Sequence, residues 1–226
     1  MSKDTFKKLM TWRFATKQFK PNKTISNVDM EYIIEMGRLT PSSMGLEPWK
    51  VLEITNPEIK QRMFPVCWGA QRGQLEAPRF LVLLAAQGPM YAQDQPYVVN
   101  MMRNVHHYPE ELIPVYGTKI SHMFDDLPPQ SRNLAYFNFS CHQVHMMAQT
   151  MNLAAAEIGI DTCMIGGFDA DALNQLLSRS FNLYDNKYWG ACLCMAFGHR
   201  EKTPEKPKTR KDIQEIYLTD SHTIKN

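Results

Sequence analysis

The sequence is 226 residues long and 44% hydrophobic, which is enough for a buried core and too much for a disordered chain. Lysine and arginine number 25 against 23 aspartate and glutamate, so the net charge of +2 gives no argument for nucleic acid as a partner. No stretch approaches the roughly 18 apolar residues of a membrane span, so no membrane partner is expected. Because no repeat, low-complexity tract or linker divides the chain, we predict one domain over residues 1–226.

The cysteine pattern indicates the cellular compartment. The five cysteines, an odd number, lie inside apolar runs or beside aromatic and histidine residues. This is typical of reduced, buried thiols rather than of a disulfide framework. The N-terminus is charged and leads to no apolar core of signal-peptide length. We therefore expect a cytoplasmic protein.

Two amphipathic helices are predicted near the N-terminus. Residues 4–12 form the first helix, which leads directly into Arg13. Ser26 and Asp29 resemble a capping box at the start of the second helix, which must end near Pro41 because the residue before a proline is disfavoured in helical conformation. The apolar stripe predicted for the second helix consists of Ile25, Val28, Tyr32, Met36 and Leu39.

Helices and strands alternate through the rest of the chain. Residues 80–86 are a continuous apolar run, which is typical of a strand covered on both faces. Residues 131–159 form the longest helix, capped by Gly159, and the proline-rich segment 109–130 is an irregular lid with at most one short helix. The core stripe predicted for the longest helix is Val144, Met147, Ala148, Met151, Ala155 and Ile158. The remaining predictions are strands at 50–54, 188–197 and 213–218, a short strand or turn at 160–168, and helical segments at 57–67, 71–77, 90–108 and 169–178.

Metal and thiol chemistry are weakly supported. His142 and His145 are spaced so that both side chains share one helix face beside Cys141, but no third and fourth ligand follow at a telling spacing. Cys192 and Cys194 lie on one face of a predicted strand in apolar surroundings, where cysteines are usually structural. No phosphate-binding glycine fingerprint or hydrolase serine motif is present. A thiol or metal redox protein stays as a minor alternative.

Two cationic clusters lie near opposite ends of this nearly neutral chain. Arg13 and Lys17 stand close to aromatic residues, and Lys208 and Arg210 lie in a tail otherwise short of structure. An arginine fork and a lysine point charge together suit a phosphate or an imide edge. With a hydroxyl-rich loop at 41–49 and the glycine pair at 166–167, the pattern indicates a bound cofactor that carries the chemistry itself.

Four segments in register make the sequence similar to the nitroreductase family of FMN-dependent oxidoreductases. They read Arg13-x-x-Thr-Lys-x-Phe, Pro41-Ser-Ser-x-Gly-x-Glu-Pro-Trp, Gly159-Ile-Asp-x-x-x-Ile-Gly-Gly-Phe and Pro207-Lys-Thr-Arg. Their order and spacing agree from about residue 6 to residue 210. The segment from about 90 to 130 is the part that such families vary.

The resemblance implies an α+β fold with a central mixed β-sheet flanked by helices, in an intertwined homodimer with FMN at the interface. NADPH or NADH would reduce the flavin, and nitroaromatics or quinones would then take the electrons in a ping-pong reaction. Lys17 would support the negative charge that develops on the reduced flavin, and Lys208 with Arg210 would bind its phosphate. The full set of implied cofactor-binding residues is Arg13, Phe14, Ala15, Lys17, Pro41, Ser42, Ser43, Gly45, Gln71, Ile165, Gly166, Gly167, Lys208 and Arg210.

The sequence departs from the family pattern at two positions. Relatives often carry an acidic residue where this chain has Gly166, and some carry a lysine where it has Gly73. A glycine still offers the backbone N–H, but the lost carboxylate alters the pocket over the ring. The alternative to an enzyme is therefore a flavin-binding module with little or no turnover.

Overall fold

A four-stranded sheet and eight α-helices make up the regular structure of residues 2–93 and 95–220, which are the residues that the computed structural model describes. The strands are β1 (Trp49–Glu53), β2 (Arg79–Ala86), β3 (Asp161–Ile165) and β4 (Trp189–Gly198). The helices are α1 (Lys3–Trp12), α2 (Asn27–Arg38), α3 (Pro57–Met63), α4 (Pro96–Asn100), α5 (Ile113–Ser121), α6 (Pro129–Glu157), α7 (Ala170–Asn174) and α8 (Ile213–Ile216). The α+β class expected from the sequence is confirmed.

The strands are ordered β1-β2-β4-β3 across the sheet, and each neighbouring pair is antiparallel. In the described residues the sheet is therefore antiparallel, because β4 lies between β2 and β3 and runs opposite to both. The expectation of a mixed sheet was wrong. Parallel pairing is found here in the isolated bridge between Ala15 and Thr162, outside the named strands.

Strand β2 separates two hydrophobic clusters. Phe80 and Val82 face one cluster, while Leu81 and Leu83 face the other, and all four are fully buried. The period of two along a strand turns successive side chains to opposite faces of the sheet. The prediction that residues 80–86 form a strand covered on both faces is confirmed, and burying each such leucine contributes about 1.5–3 kcal/mol.

Helix α6 covers one face of the sheet. Five members of its predicted stripe are buried, but Ile158 is 38% exposed because the helix ends at Glu157. Gly159 follows with φ of +74°, the left-handed conformation that a helix C-terminus commonly takes and that glycine adopts without strain.

Helix α2 packs on α6 through a face that the sequence pattern did not identify. Its buried residues are Met30, Ile33 and Gly37, whereas Val28 is 73% exposed. This face packs on α6 because Gly37 has no side chain: a Cβ placed on it would lie 2.6 Å from the Met151 Cγ of α6. The glycine therefore permits close helix approach. Of the predicted stripe, Ile25 is buried, whereas Val28 and Leu39 are exposed, so those two positions were wrong.

Three other predictions differ from the structure. The helix expected at 90–108 is divided into the 3₁₀ turn Gly88–Tyr91, α4 and the π-helical segment Met101–Val105. The helical turn expected at 71–77 is irregular, and the 3₁₀ turn Trp68–Ala70 precedes it. The strand expected at 213–218 is replaced by α8, which a capping box between Asp212 and Glu215 stabilises. Segment 109–130 contains α5, as the expectation of at most one short helix allows.

Candidate functional site

The segment that follows α1 is bound to the edge of the sheet. The backbone N–H of Thr16 donates to the Thr162 carbonyl of β3 at 3.0 Å, and Ala15 forms a bridge with the same residue. Phe19 then pairs with Arg200, just beyond β4. These backbone contacts fix Arg13 and Lys17 relative to β3.

A buried ion pair fastens the chain beyond β4 to the same place. Asp161 is 3% exposed, and its Oδ1 lies 2.6 Å from the Nε of Arg200 while its Oδ2 accepts the Arg200 backbone N–H at 2.8 Å. The Arg200 guanidinium also stacks on the Trp12 ring at 4.4 Å and donates to the Trp12 carbonyl at 3.0 Å. The backbone of Arg13 is therefore fixed by the contacts of Trp12, which precedes it, and of Thr16, which follows it.

Cations from both ends of the chain converge beside this ion pair. Lys208 donates to the carbonyls of Met10 and Thr11, the latter at 2.9 Å. Partial burial lowers the pKa of Lys208, and the charges of Arg13, Arg210 and Arg200 lower it further. The three arginines are thus each close enough to Lys208 to disfavour its charge.

Arg13 retains an unused donor within this cationic cluster, which comprises Arg13, Arg200, Lys208 and Arg210. Its Nε is buried and has no hydrogen-bond partner among the residues that the structure describes. A buried donor without a partner is costly, and a group of repelling cations is stabilised by an anion. The arrangement therefore fits a phosphate-type ligand.

A cleft of about 770 Å³ opens beside Lys17 and is lined also by Gln71, Gly73 and Glu76. Gln71 donates to the Phe64 carbonyl at 2.8 Å, which orients its side chain along the cleft wall. Gly73 has φ of +108°, and a Cβ there would approach the Lys17 carbonyl at 3.2 Å. The structure thus brings the predicted site residues Lys17 and Gln71 to one cavity. The positive φ at position 73 favours glycine there over the lysine implied by the family pattern.

The two glycines after β3 have different surroundings. Gly167 accepts the Gly69 N–H at 2.7 Å, and a Cβ on it would lie 2.8 Å from the Trp68 Nε1 and 3.1 Å from the Gly69 backbone. A Cβ on Gly166, by contrast, would meet no atom within 4 Å. Gly167 is required by packing, whereas Gly166 leaves open the space that an acidic side chain would occupy.

Trp68 is a candidate site residue that the sequence reasoning missed. Its indole is 58% exposed and lies against Gly167. An exposed tryptophan is a ready surface for a flat ligand. The Trp68-Gly69 pair directly before Gln71 was the available signal, but aromatic residues are too numerous in this chain for it to stand out.

The hydroxyl-rich loop is held by a different part of the fold. The Ser42 Oγ accepts the Glu47 N–H at 2.9 Å, and the Ser43 N–H donates to Gln143 of α6 at 2.8 Å. Gly45 has φ of +64°, and its carbonyl lies 2.7 Å from the Nε2 of His106. Pro41, like Ser43, is exposed.

The predicted site residues therefore form separate groups in the chain. One group contains Arg13, Lys208 and Arg210, and Lys17 with Gln71 lines the adjoining cleft. In the part of the chain that the structure describes, no hydrogen bond or ion pair connects the loop at 41–45 to either of them. Phe14 and Ala15 are exposed beside the first group, and Ile165 is buried at the end of β3.

His145 and the neighbouring cysteines, the candidates for a metal or thiol site, have local contacts in the structure. Among residues 2–93 and 95–220, no group of three or more His, Cys, Asp or Glu side chains is placed to hold an ion. His145 Nδ1 is 2.8 Å from the Cys141 carbonyl and 3.7 Å from the Cys192 Sγ, so its contacts are local packing contacts. Within the same residues, no helix is both long and apolar enough to span a membrane.

Comparisons with known proteins give a consistent result. The sequence model described as "Nitroreductase family" matches residues 10–199. "Putative NAD(P)H nitroreductase YfkO" of Bacillus subtilis is 34% identical over 206 residues, spanning 91% of this chain and 92% of that protein. "Putative NAD(P)H nitroreductase SH0546" of Staphylococcus haemolyticus is 32% identical over 213 residues, spanning 94% and 96%.

Solved structures show the same fold at lower sequence identity. The Streptococcus pneumoniae nitroreductase family protein has a TM-score of 0.75 at 21% identity, spanning 95% of this chain and 99% of that one. A nitroreductase-type structure from Exiguobacterium sibiricum, described as a complex with FMN, has a TM-score of 0.74 at 20% identity, spanning 95% and 96%.

Proposed function

Because this chain belongs to the nitroreductase family, we propose that it is an FMN-dependent NAD(P)H oxidoreductase that passes electrons to nitroaromatic or quinone acceptors by a ping-pong route. Family membership, expected from the four motifs, is confirmed by the match over residues 10–199. The names of the relatives support NAD(P)H as the donor, and the FMN complex of a structural neighbour supports the cofactor.

The cationic cluster is the observation that carries the proposal. Lys208 is held by the carbonyls at the end of α1, Arg13 and Arg210 lie close enough to it to lower its pKa, and the Nε of Arg13 is buried without a partner in the described residues. A phosphate would supply the missing acceptor and offset the mutual repulsion. Lys208 and Arg210 therefore bind the FMN phosphate in this account, with Arg13 beside them.

When bound, FMN supplies the two-electron carrier that a chain without a nucleophile lacks. Lys17 provides a fixed positive charge at the cleft, which stabilises negative charge on the adjacent ligand. Gln71 borders the same cleft. In the proposal, the backbone of Ile165, Gly166 and Gly167 would contact the flavin. Trp68 offers a flat surface on which an aromatic acceptor stacks.

We propose further that the site is completed by a second copy of the chain. Pro41, Ser42, Ser43 and Gly45 belong to a loop held by α6, apart from the cationic cluster, and would reach the partner's cofactor. Both α1 and α6 carry large exposed apolar side chains, which an association between two copies would bury. They include Phe6, Met10, Trp12, Leu134 and Met146.

Rapid mixing of the FMN-loaded protein with NADPH or NADH tests the proposed activity. Bleaching of the flavin absorbance within seconds, followed by recovery when a nitroaromatic or quinone is added, is the expected result. Flavin that stays bound but is not bleached by either nucleotide would identify a binding module with little turnover instead. A protein that takes up no FMN would contradict the proposal as a whole.

Mixed dimers test the shared site. Arg13→Met removes one half of the proposed site and Ser43→Pro disrupts the other, since Ser43 donates its N–H to Gln143. If each site combines both subunits, mixing the two inactive variants restores one intact site in each heterodimer. A monomer in sedimentation experiments, or no recovery after subunit exchange, would contradict the shared site.

A further inference from the structure

A side-chain contact connects Lys17 to β3, the strand that precedes the glycine pair. The Nζ of Lys17 lies 3.4 Å from the Sγ of Cys163 on β3. Among the described residues this thiol is the only side chain within hydrogen-bond distance of that ammonium group. The contact joins positions 146 residues apart in sequence.

The thiol is itself held in place. Cys163 is 1% exposed and pairs with Ala196 of β4, so its side chain is packed in the interior and its backbone is fixed in the sheet. The Nε2 of Gln74, a fully buried residue, lies 4.0 Å from the same sulfur. The Oε1 of Gln74 in turn accepts the Arg72 N–H at 3.0 Å. Two donors thus point at one sulfur from the cleft side of the sheet.

We propose that Cys163 is a positioning residue, which holds the Lys17 ammonium group at the wall of the flavin cleft and thereby sets how strongly that charge acts on FMN. The inference rests on the proposed function, because it assumes that the cleft beside Lys17 receives the flavin. A lysine side chain has many rotamers, and a fixed acceptor removes most of them before the ligand arrives. Electrostatic support depends on such prior placement of the charge.

The choice of residue at 163 follows from chemistry. A thiol sulfur is a weak acceptor that suits a buried strand, whereas an aliphatic side chain accepts no hydrogen bond. Valine has a high strand propensity and a side-chain volume close to that of cysteine, so Cys163→Val removes the acceptor with little disturbance of packing. Serine keeps an acceptor, so Cys163→Ser is the conservative variant that retains the contact.

A double-mutant cycle with Lys17→Met tests the inference. Two readouts are measured for each variant: the FMN dissociation constant by fluorescence titration, and the midpoint potential of bound FMN. Cys163→Val is expected to weaken FMN binding roughly fivefold, the value of one modest hydrogen bond, and to make the midpoint potential more negative. Cys163→Ser is expected to restore both towards wild type.

In the Lys17→Met background, Cys163→Val should change neither readout, because there is no ammonium group left to position. Met164→Leu, on the same strand but facing the other side of the sheet, is the matched control and should change neither in either background. Thermal unfolding of each apoprotein checks folding, and Cys163→Ala replaces Cys163→Val if the latter does not fold.

Two results would overturn the inference while leaving the proposed function intact. One is wild-type protein that binds FMN while Cys163→Val leaves affinity and potential unchanged. The other is an effect of Cys163→Val that is equally large with and without Lys17, which would indicate a packing role alone. Failure of the wild-type protein to bind FMN would instead contradict the proposed function.

Discussion

The guanidinium of Arg200 lies against the buried carboxylate of Asp161, with both Nε and Nη2 of the arginine within 2.6 Å of Oδ1. The exposed fractions of the two side chains are 15% and 3%. The pair joins β3, the end of β4 and the Trp12 ring at one point. It thereby brings the chain near Arg13 and the chain beyond β4 close together.

Asp161→Asn should strongly destabilise the protein, because it leaves the Arg200 charge buried without a counter-ion. Breaking a buried pair by removing one partner costs about 3–5 kcal/mol. Urea unfolding of the apoprotein measures the loss. Glu35→Gln, which breaks the exposed pair with Arg38, is the matched control and should leave the unfolding midpoint unchanged. Equal effects of the two variants would contradict the role of the buried pair.

The pH dependence of FMN binding should report on Lys208. Its pKa lies below the ordinary value of 10.5, so it loses its proton at a lower pH than an exposed lysine does. A bound phosphate favours the protonated form and raises this pKa, so affinity is full below the pKa of the free protein and falls as pH rises through it. FMN titrations across the alkaline range should show the fall.

Lys208→Arg is the matched variant for this pH dependence, since arginine stays charged throughout that range. It should flatten the profile and leave affinity near neutral pH within a few-fold of wild type. A profile that falls equally steeply in both proteins would assign the titration to another group.

The two glycines after β3 should respond differently to alanine. Gly167→Ala places a methyl group 2.8 Å from the Trp68 Nε1 and 3.1 Å from backbone atoms, and such overpacking costs about 1–3 kcal/mol. Gly166→Ala meets open space and should change stability by no more than about 0.5 kcal/mol. Thermal unfolding of both apoproteins provides the comparison. The reverse order of stabilities would contradict the close packing at 167.

Trp68 should affect the acceptor rather than the fold. Its indole is 58% exposed, so Trp68→Ala should leave the unfolding temperature nearly unchanged. Loss of an aromatic stacking surface is worth about 0.5–1.5 kcal/mol, so KM for a nitroaromatic acceptor should rise roughly twofold to twelvefold. Steady-state kinetics at saturating NAD(P)H measures this, with Val28→Ala as an exposed apolar control on α2. An unchanged KM would exclude Trp68 from the acceptor surface.

The core could be predicted where one signal dominates. The unbroken apolar run at 80–86 allowed little other than a buried strand, and Gly159 closed α6 as expected. The α2 face could not be predicted, because it depends on how closely Met151 approaches Gly37. That distance depends on how two helices pack, so the periodicity of apolar residues within one helix cannot predict it.

The cationic residues of the site were identified from sequence, but their neighbours were not. Arg13 and Lys208 lie in cationic clusters of a chain whose charge is otherwise balanced, and the structure brings them together. The contact of Lys17 with Cys163 and the position of Trp68 against Gly167 arise only in three dimensions. The binding roles of all these residues stay predictions.

Comparative titration of the apoprotein with FMN and with riboflavin, which lacks the phosphate, tests the central claim most directly. Wild type should bind FMN at least tenfold more tightly than riboflavin, since charge-assisted hydrogen bonds to a phosphate are each worth about 1.5–3 kcal/mol. Arg13→Met should reduce that difference, while Lys208 and Arg210 retain part of it, and should not lower apoprotein stability, because the Arg13 Nε has no partner to lose in the described residues. Lys206→Met, in the same tail, should retain the full difference. Equal affinity of the wild-type protein for FMN and riboflavin would contradict the account.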